Sequence, residues 1–275
     1  MAAKTLYNED FIAPGPLNRM SFTLNDDTRF SDGHPVPKLW HWLFFLPDFK
    51  TAEAGPDGHA KTGGFIPAME GLDRRMWAGS RLEFHNDLIC GRHARRASYI
   101  KQVNRKTGRS GELGFVTVVH EITQNARPVL TEEHDIVYKK APRQPVTEAS
   151  VNAGLSPAEK APLWSQTIRP DPLLLFRYSA LTFNGHRIHY DRDFCKADFG
   201  FPGLVVHGPL IATLMIELVR KHLPEADIRH YAFRAKGPVF DFQTFTVQGC
   251  RQDDTVDLWT ANPGGFATMS AKALI

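Results

Sequence analysis

Two runs of short strand-like segments, split by a proline-rich stretch and each preceded by an apolar helical segment, constrain this fold more than any other feature of the chain. Residues 81–84, 97–103, 114–122 and 131–138 read as strands, with Gly and polar residues between them. Residues 229–235, 240–247, 255–260 and 266–274 repeat the style, and Asn262-Pro263-Gly264-Gly265 marks the last turn. Helical candidates precede the strands at 38–46 and at 209–223. Alternating helices and strands would imply a parallel sheet, whereas a helix followed by a run of strands implies antiparallel α+β halves. The expected class is therefore α+β, with one order of elements used twice.

Residues 139–172 hold Pro142, Pro145, Pro157, Pro162, Pro170 and Pro172 among Lys, Gln, Ser and Ala, which is a linker composition. The expected division is an N-terminal half, 1–140, a linker, 141–170, and a C-terminal half, 171–275. In the second half Leu210, Ile211, Leu214, Met215, Leu218 and Leu223 follow helical spacing. Gly208 and Pro209 suit the start of that helix, Lys221 and His222 suit its C-terminal dipole, and Pro224 ends it. The free amides of its first turn form a potential anion or oxyanion site.

Composition removes several function classes. With 42% apolar residues among 275, the chain builds a core and is neither disordered nor fibrous. No apolar run approaches the ~18 residues of a membrane span, and the first ten residues hold no signal-peptide core, so a soluble cytoplasmic protein without membrane partners is expected. Cys90, Cys195 and Cys250 are odd in number, lack zinc spacing and read as reduced. Charge is nearly balanced, 33 Lys+Arg against 30 Asp+Glu, and no nucleic-acid reading motif accompanies it, which argues against a nucleic-acid partner. The exception is local: Arg92, Arg95, Arg96, Lys101, Arg105, Lys106 and Arg109 follow one another with no acidic residue between, a face that either meets solvent or holds a phosphate-bearing small ligand.

The chemistry concentrates in Thr182-Phe183-Asn184-Gly185-His186-Arg187-Ile188-His189-Tyr190-Asp191. A short helix beginning with Asp171 as N-cap and Pro172 next precedes it, and Gly185 is the expected left-handed residue after that helix. The polar side chains thus fall on an irregular segment between ordered elements, where catalytic groups often sit. His186, His189 and Asp191 alone allow a metal site, an acid–base site or a hydrogen-bonded turn; no familiar zinc spacing is met, and none is expected to hold a metal. Histidine titrates near neutral pH and can take and return a proton. Asp191 fits best as the cap of a short helix that follows it.

Residues 176–191, followed by Pro202-Gly203-Leu204-Val205-Val206-His207-Gly208-Pro209-Leu210, resemble the MaoC-like hydratases of the type 2 hydroxyacyl-thioester dehydratase group, and most closely its mesaconyl-C4-CoA (itaconyl-CoA) hydratases. Residues 39–45, 74–79 and 131–138 extend the resemblance over nearly the whole length. It implies a double hotdog, each half an antiparallel sheet wrapped round a long central helix, with the catalytic motif in the second half and a homodimer from hotdog habit. It also implies a hydro-lyase adding water to a dicarboxylic α,β-unsaturated acyl-CoA in C5-dicarboxylate (itaconate) degradation. CoA is then part of the substrate and no separate cofactor is needed. The alternatives are a (3R)-hydroxyacyl-thioester dehydratase of fatty-acid metabolism and an acyl-CoA thioesterase.

In related (R)-specific hydratases an Asp and a His five residues apart activate water; here the His falls on His189, but the Asp falls on Asn184. Asn cannot take a proton, so Asn184 can only orient water or substrate while His189 is the base. The resemblance places the oxyanion site at Gly208. A second, free carboxylate on the substrate calls for a cation: Arg187 beside the motif comes first, unless it pairs with Asp191. Arg74 and Arg75 near Trp77 come second, with His186 as a further binding candidate. Trp40, Trp42, Phe44 and Phe45 read as core.

Overall fold

The computed structural model describes residues 4–108, 111–141, 145–158 and 160–275; Arg109 and Pro142, singled out above, lie outside the described residues. The N-terminal half comprises β1 (Leu6–Phe11), α1 (Pro14–Thr23), β2 (Arg74–Phe84), β3 (His93–Gly108), β4 (Gly111–Gln124) and β5 (Arg127–Lys139). After it come α2 (Glu148–Asn152), β6 (Trp164–Ile168), α3 (Pro172–Leu181), α4 (Arg192–Phe199) and α5 (Gly208–His222). β7 (His230–Ala235), β8 (Phe245–Gln252), β9 (Thr255–Ala261) and β10 (Ala267–Leu274) complete the chain.

The ten strands of the described residues form one antiparallel sheet in the order β1-β3-β4-β5-β2-β7-β10-β9-β8-β6. Counted outward from the β2–β7 seam, the two halves have the same strand order. α1 and α3 continue the correspondence, since each has ten residues, starts with Pro and follows an edge strand. The seam depends on one glycine. A Cβ on Gly79 would lie 2.2 Å from the Phe233 carbonyl oxygen, so any side chain there would push β2 off β7 where Gly79 pairs with Arg234.

The helices are where the halves part. α5 is buried along its length, from Leu210 through Val219, and packs on β6, β8, β9, β10 and β2. Burying its large apolar side chains, at about 1.5–3 kcal/mol each, fixes it beneath the sheet. A long central helix was expected in the N-terminal half too, from 38–46, and that expectation is corrected: only a 3-10 turn, Trp40–Leu43, forms. Leu39 and Phe45 have φ of 72° and 54°, values that no continuing right-handed helix contains. Trp40, Leu43, Phe44 and Phe45 are buried all the same, so the apolar run reflects burial on every side and not a helical stripe.

Other boundaries move as well. The strands are longer than their apolar cores suggest, because β3 and β4 form a long hairpin whose outer face carries charge. Phe240 precedes β8 and makes only an isolated bridge to Val205. Within 141–170, β6 pairs with β8 as an edge strand, where a proline-flanked segment is tolerated. Gly185 is not the left-handed residue after α3; Phe183, at φ 47°, takes that position.

Candidate active site

The motif is held as a tight turn between α3 and α4. Asp171 caps α3 by accepting from the Leu174 amide at 2.7 Å, and Asp191 caps α4 by accepting from the Phe194 amide at 2.9 Å. Between them, Asn184 Oδ1 accepts from the His186 amide at 3.0 Å, and a 3-10 turn, Arg187–His189, drives Ile188 and His189 inward. Cys195 Sγ donates to the Ile188 carbonyl, which also accepts from the Val205 amide at 2.9 Å. The motif is thereby tied to the segment leading into α5.

His189 is 7% exposed, and its Nδ1 donates to the Val205 carbonyl oxygen at 2.7 Å. A carbonyl only accepts, so Nδ1 carries the hydrogen and Nε2 keeps its lone pair. Burial, with the His186 ring beside it, pushes the pKa of His189 down to about 3, so the ring is neutral at physiological pH. Its other face stacks on His207, ring centroids 3.6 Å apart. His207 is fully buried, shares a hydrogen bond with Ser179 Oγ at 2.8 Å and is the N-cap of α5. Gly208 follows as the first residue of α5, with an amide ahead of the first helical hydrogen bond. The stack on His207 thus brings the neutral His189 ring up to the residue that begins α5.

His186 is buried too, and its Nε2 has no hydrogen-bond partner among the described residues. Its ring lies 5.4 Å from that of His189 and 4.1 Å from that of His59. His59 belongs to a loop, residues 54–60, contributed by the N-terminal half. Its Nδ1 lies 3.1 Å from Asp57 Oδ2. Asp57, His59 and His186 offer donor atoms within 4.8 Å of one another, the set among the described residues best able to meet a divalent ion. Burial alone would raise the Asp57 pKa, but the hydrogen bond and charge of His59 outweigh it and hold that carboxyl at about 2.

The Arg187 guanidinium is engaged locally: Nε and Nη2 donate to Asp191 at 3.0 and 2.7 Å, Nη1 donates to the Pro56 carbonyl at 3.0 Å, and the group lies 4.0 Å over the Phe194 ring. Arg74 lies 4.1 Å over the Phe199 ring, which in turn meets His186 edge-on at 5.9 Å. Its buried Nε has no hydrogen-bond partner among the described residues. Trp77 stands elsewhere, stacked on His134 at 4.0 Å and packed with Trp42 and Phe233. The basic run at 92–109 is largely engaged as well: Lys101 reaches Glu133, Arg105 pairs with Glu112, and Arg95 lies over Tyr7. A cleft of about 510 Å³ lined by Arg29, Lys38, Glu217 and Arg220 sits at the far end of α5 and contains no motif residue.

Residues 39–241, well over half of the chain, match the family described as hydroxyacyl-thioester dehydratase type 2. The chain belongs to that family. It is 45% identical over 237 residues to a mesaconyl-C(4)-CoA hydratase of Chloroflexus aurantiacus, covering 86% of this chain and 82% of the relative. Among solved structures, HtdX of Mycobacterium tuberculosis superposes with a TM-score of 0.70 at 18% identity, covering 98% of this chain and 99% of that one. A conserved hypothetical protein of the same organism, described as a double hotdog, superposes with a TM-score of 0.58 at 12% identity, covering 100% and 96%. At such identities these two likenesses speak for the fold alone.

The sequence motif spans Ser179 and His207 but assigns them no role, and Asp57 and His59 lie outside it. His207 stands immediately before Gly208 and was within reach of the sequence. Asp57 and His59 lie some 130 residues from the motif, and no spacing rule connects them to it. A further buried group also went unremarked: Glu132 accepts from Trp42 Nε1 at 3.1 Å and from Ser80 Oγ at 2.8 Å, and lies 3.2 Å from His41 Nε2. Burial would raise its pKa, but His41 outweighs that and holds it well below the carboxylate range.

Proposed function

We propose that this protein is a hydro-lyase that adds water across the double bond of a dicarboxylic α,β-unsaturated acyl-CoA, converting mesaconyl-C4-CoA to citramalyl-CoA. The observation that carries the proposal is the fixed tautomer of His189, whose Nδ1 is committed to Val205 so that Nε2 keeps its lone pair, in a ring stacked on the N-cap residue of α5. The similarity to a mesaconyl-C(4)-CoA hydratase supports the substrate class.

In this reading water attacks the β-carbon and gives its proton to His189 Nε2. The charge that develops on the thioester oxygen meets the amide of Gly208 and its neighbours. Asn184 is committed through Oδ1 to the His186 amide, so its Nδ2 end is the one that orients water or substrate. The free carboxylate of the acyl group goes to Arg74, whose Nη2 donates to the Asp198 carbonyl and whose buried Nε lies 4.0 Å from Asp73, so that Nη1 is the donor offered to substrate. Arg187, bound by Asp191 and Pro56, positions the motif and the loop above it.

The test compares kcat/KM for mesaconyl-C4-CoA, itaconyl-CoA and crotonyl-CoA, following loss of the conjugated thioester for the first and third and product formation by mass for all three, with free CoA assayed in parallel. Preference for the C5-dicarboxylic substrates with addition of water is expected. Equal use of crotonyl-CoA moves the substrate to fatty-acyl metabolism, and release of free CoA would identify a thioesterase. His189→Ala should lower kcat by about 10²–10⁴-fold with the fold intact; near-normal turnover would remove His189 as the base.

A further inference from the structure

Hydration moves two protons, one leaving the attacking water and one arriving at the α-carbon. His189 is placed for the first. The residue five positions earlier is Asn184, which carries no titratable proton, and its Oδ1 is occupied by the His186 amide. Asp191, the nearest carboxylate in sequence, faces Arg187 and the Phe194 amide. The motif's other imidazole, His186, is buried, so the motif contains a base but no second group open to exchange protons with solvent.

The loop at 54–60 brings one. Ala54 and Ala60 bridge to each other, and the Arg187 amide donates to the Asp57 carbonyl at 2.8 Å, so the loop is pinned directly on the motif. Gly58 has a φ of 89°, and a Cβ there would lie 1.9 Å from the Gly185 carbonyl oxygen; only glycine lets the two backbones approach this closely. The consequence is that His59 faces His186. With ring centroids 4.1 Å from His59 to His186 and 5.4 Å from His186 to His189, the outer two rings are at most about 9.5 Å apart. Exposure falls along the row: the His59 side chain is 30% exposed, whereas His186 and His189 are buried.

We propose that His59, oriented by Asp57, is the second proton-transfer residue of this site and that His186 connects it to His189. This rests on the hydratase reading. The water oxygen bonds to the β-carbon, and the proton it loses goes to His189 Nε2. The double-bond electrons move toward the thioester carbonyl, and the α-carbon of the resulting enolate takes a proton from His59 Nε2. The proton on His189 then returns to His59 through His186, so one water is added and both imidazoles regain their starting states. Asp57, anionic at neutral pH, binds His59 Nδ1 and stabilises the imidazolium that donates. For the return His186 takes a proton at one ring nitrogen and releases the proton on the other, and its unpartnered Nε2 is one end of that transfer. The same three residues could instead be offered to a divalent ion, but His59 Nδ1 and Asp57 Oδ2 already face each other in a hydrogen bond, a poor starting point for both to face a metal.

The experiment measures kcat and KM for mesaconyl-C4-CoA in the wild-type protein and in His59→Gln, Asp57→Asn and His59→Gly, the last with and without free imidazole. His59→Gln keeps a side chain of similar reach and guards against local collapse. We expect it to lose kcat by about 100-fold with KM within about threefold, Asp57→Asn to lose less, and imidazole to restore part of the His59→Gly rate. A His59→Gln kcat within threefold of wild type, or a loss confined to KM, overturns the proposal. Activity abolished by a chelator and restored by Zn²⁺ overturns it in favour of a metal site. A wild-type protein that hydrates no acyl-CoA refutes the hydratase reading itself, whereas an active wild type with an indifferent His59→Gln refutes only the role of His59.

Discussion

Lowering the pH from about 7.5 to about 5.5 tests the electrostatics of the site without any mutation. His186, His189 and His207 are each less than a tenth exposed, and burial pushes their pKa values to about 2, to about 3 and well below the usual imidazole range. In the unfolded chain each titrates near 6.5, so over this interval the unfolded state binds protons that the folded state refuses. Stability therefore falls as pH falls, beginning below about 6.5 and continuing toward the folded values. For one such imidazole the difference between the two pH values is about 1.4 kcal/mol; His120 and His134, pushed down by burial to about 3 and about 4, each lose as much as a ring of the site, so the five together give about 7 kcal/mol. That is a large share of the ~5–15 kcal/mol that holds a typical domain together. Urea unfolding should show the midpoint dropping by about 2–3 M across the interval, with near-constant slope. His207→Gln should remove about a fifth of the effect. A change in stability below about 1 kcal/mol would mean that the three rings are charged or solvated in the folded protein, and the neutral-base assignment of His189 would fall with it.

Two further outcomes follow from single contacts. Glu132→Ala leaves His41, Trp42 and Ser80 facing a buried void, and thermal or urea unfolding should register a loss of about 3–5 kcal/mol; a loss under 1 kcal/mol would show that water reaches this group. Arg74→Gln should raise KM for mesaconyl-C4-CoA at least tenfold more than KM for crotonyl-CoA, and equal effects on the two substrates would remove Arg74 as the partner of the free carboxylate.

What could be read from the residues alone divides along physical lines. α5 was legible because its apolar stripe, its Gly208-Pro209 start and its Pro224 stop all agree. The caps at Asp171 and Asp191 were legible for the same reason: a local side chain meets a local amide. The segment at 38–46 misled, because an apolar run records burial without recording shape, and only the left-handed turns at Leu39 and Phe45 separate it from a helix. β6 was hidden by prolines that flank it and leave its five residues free to pair. His189 stood out through its motif. The partners that set its chemistry did not, since His207 is brought by a stack, Val205 by a backbone carbonyl, and His59 by a loop from the other half.

The difference between the halves accounts for where the site is completed. A helix at 38–60 matching α5 would have kept those residues under the N-terminal sheet, because helical chain advances only about 1.5 Å per residue. Instead Trp40 to Phe45 fill that space in one short turn, and Trp40 Nε1 donates to Glu217 of α5, anchoring the segment to the helix of the opposite half. The chain that follows has the reach of irregular backbone, about 3.3 Å or more per residue when extended, and crosses to the motif. There Pro56 and Asp57 offer their carbonyls to Arg187 and its amide, and Gly58 meets Gly185. The local pairing of Arg187 with Asp191 thus has a consequence beyond the turn: it presents the guanidinium that receives the loop, and the loop presents His59. The segment that runs here in place of a central helix is the one that sets His59 against His186.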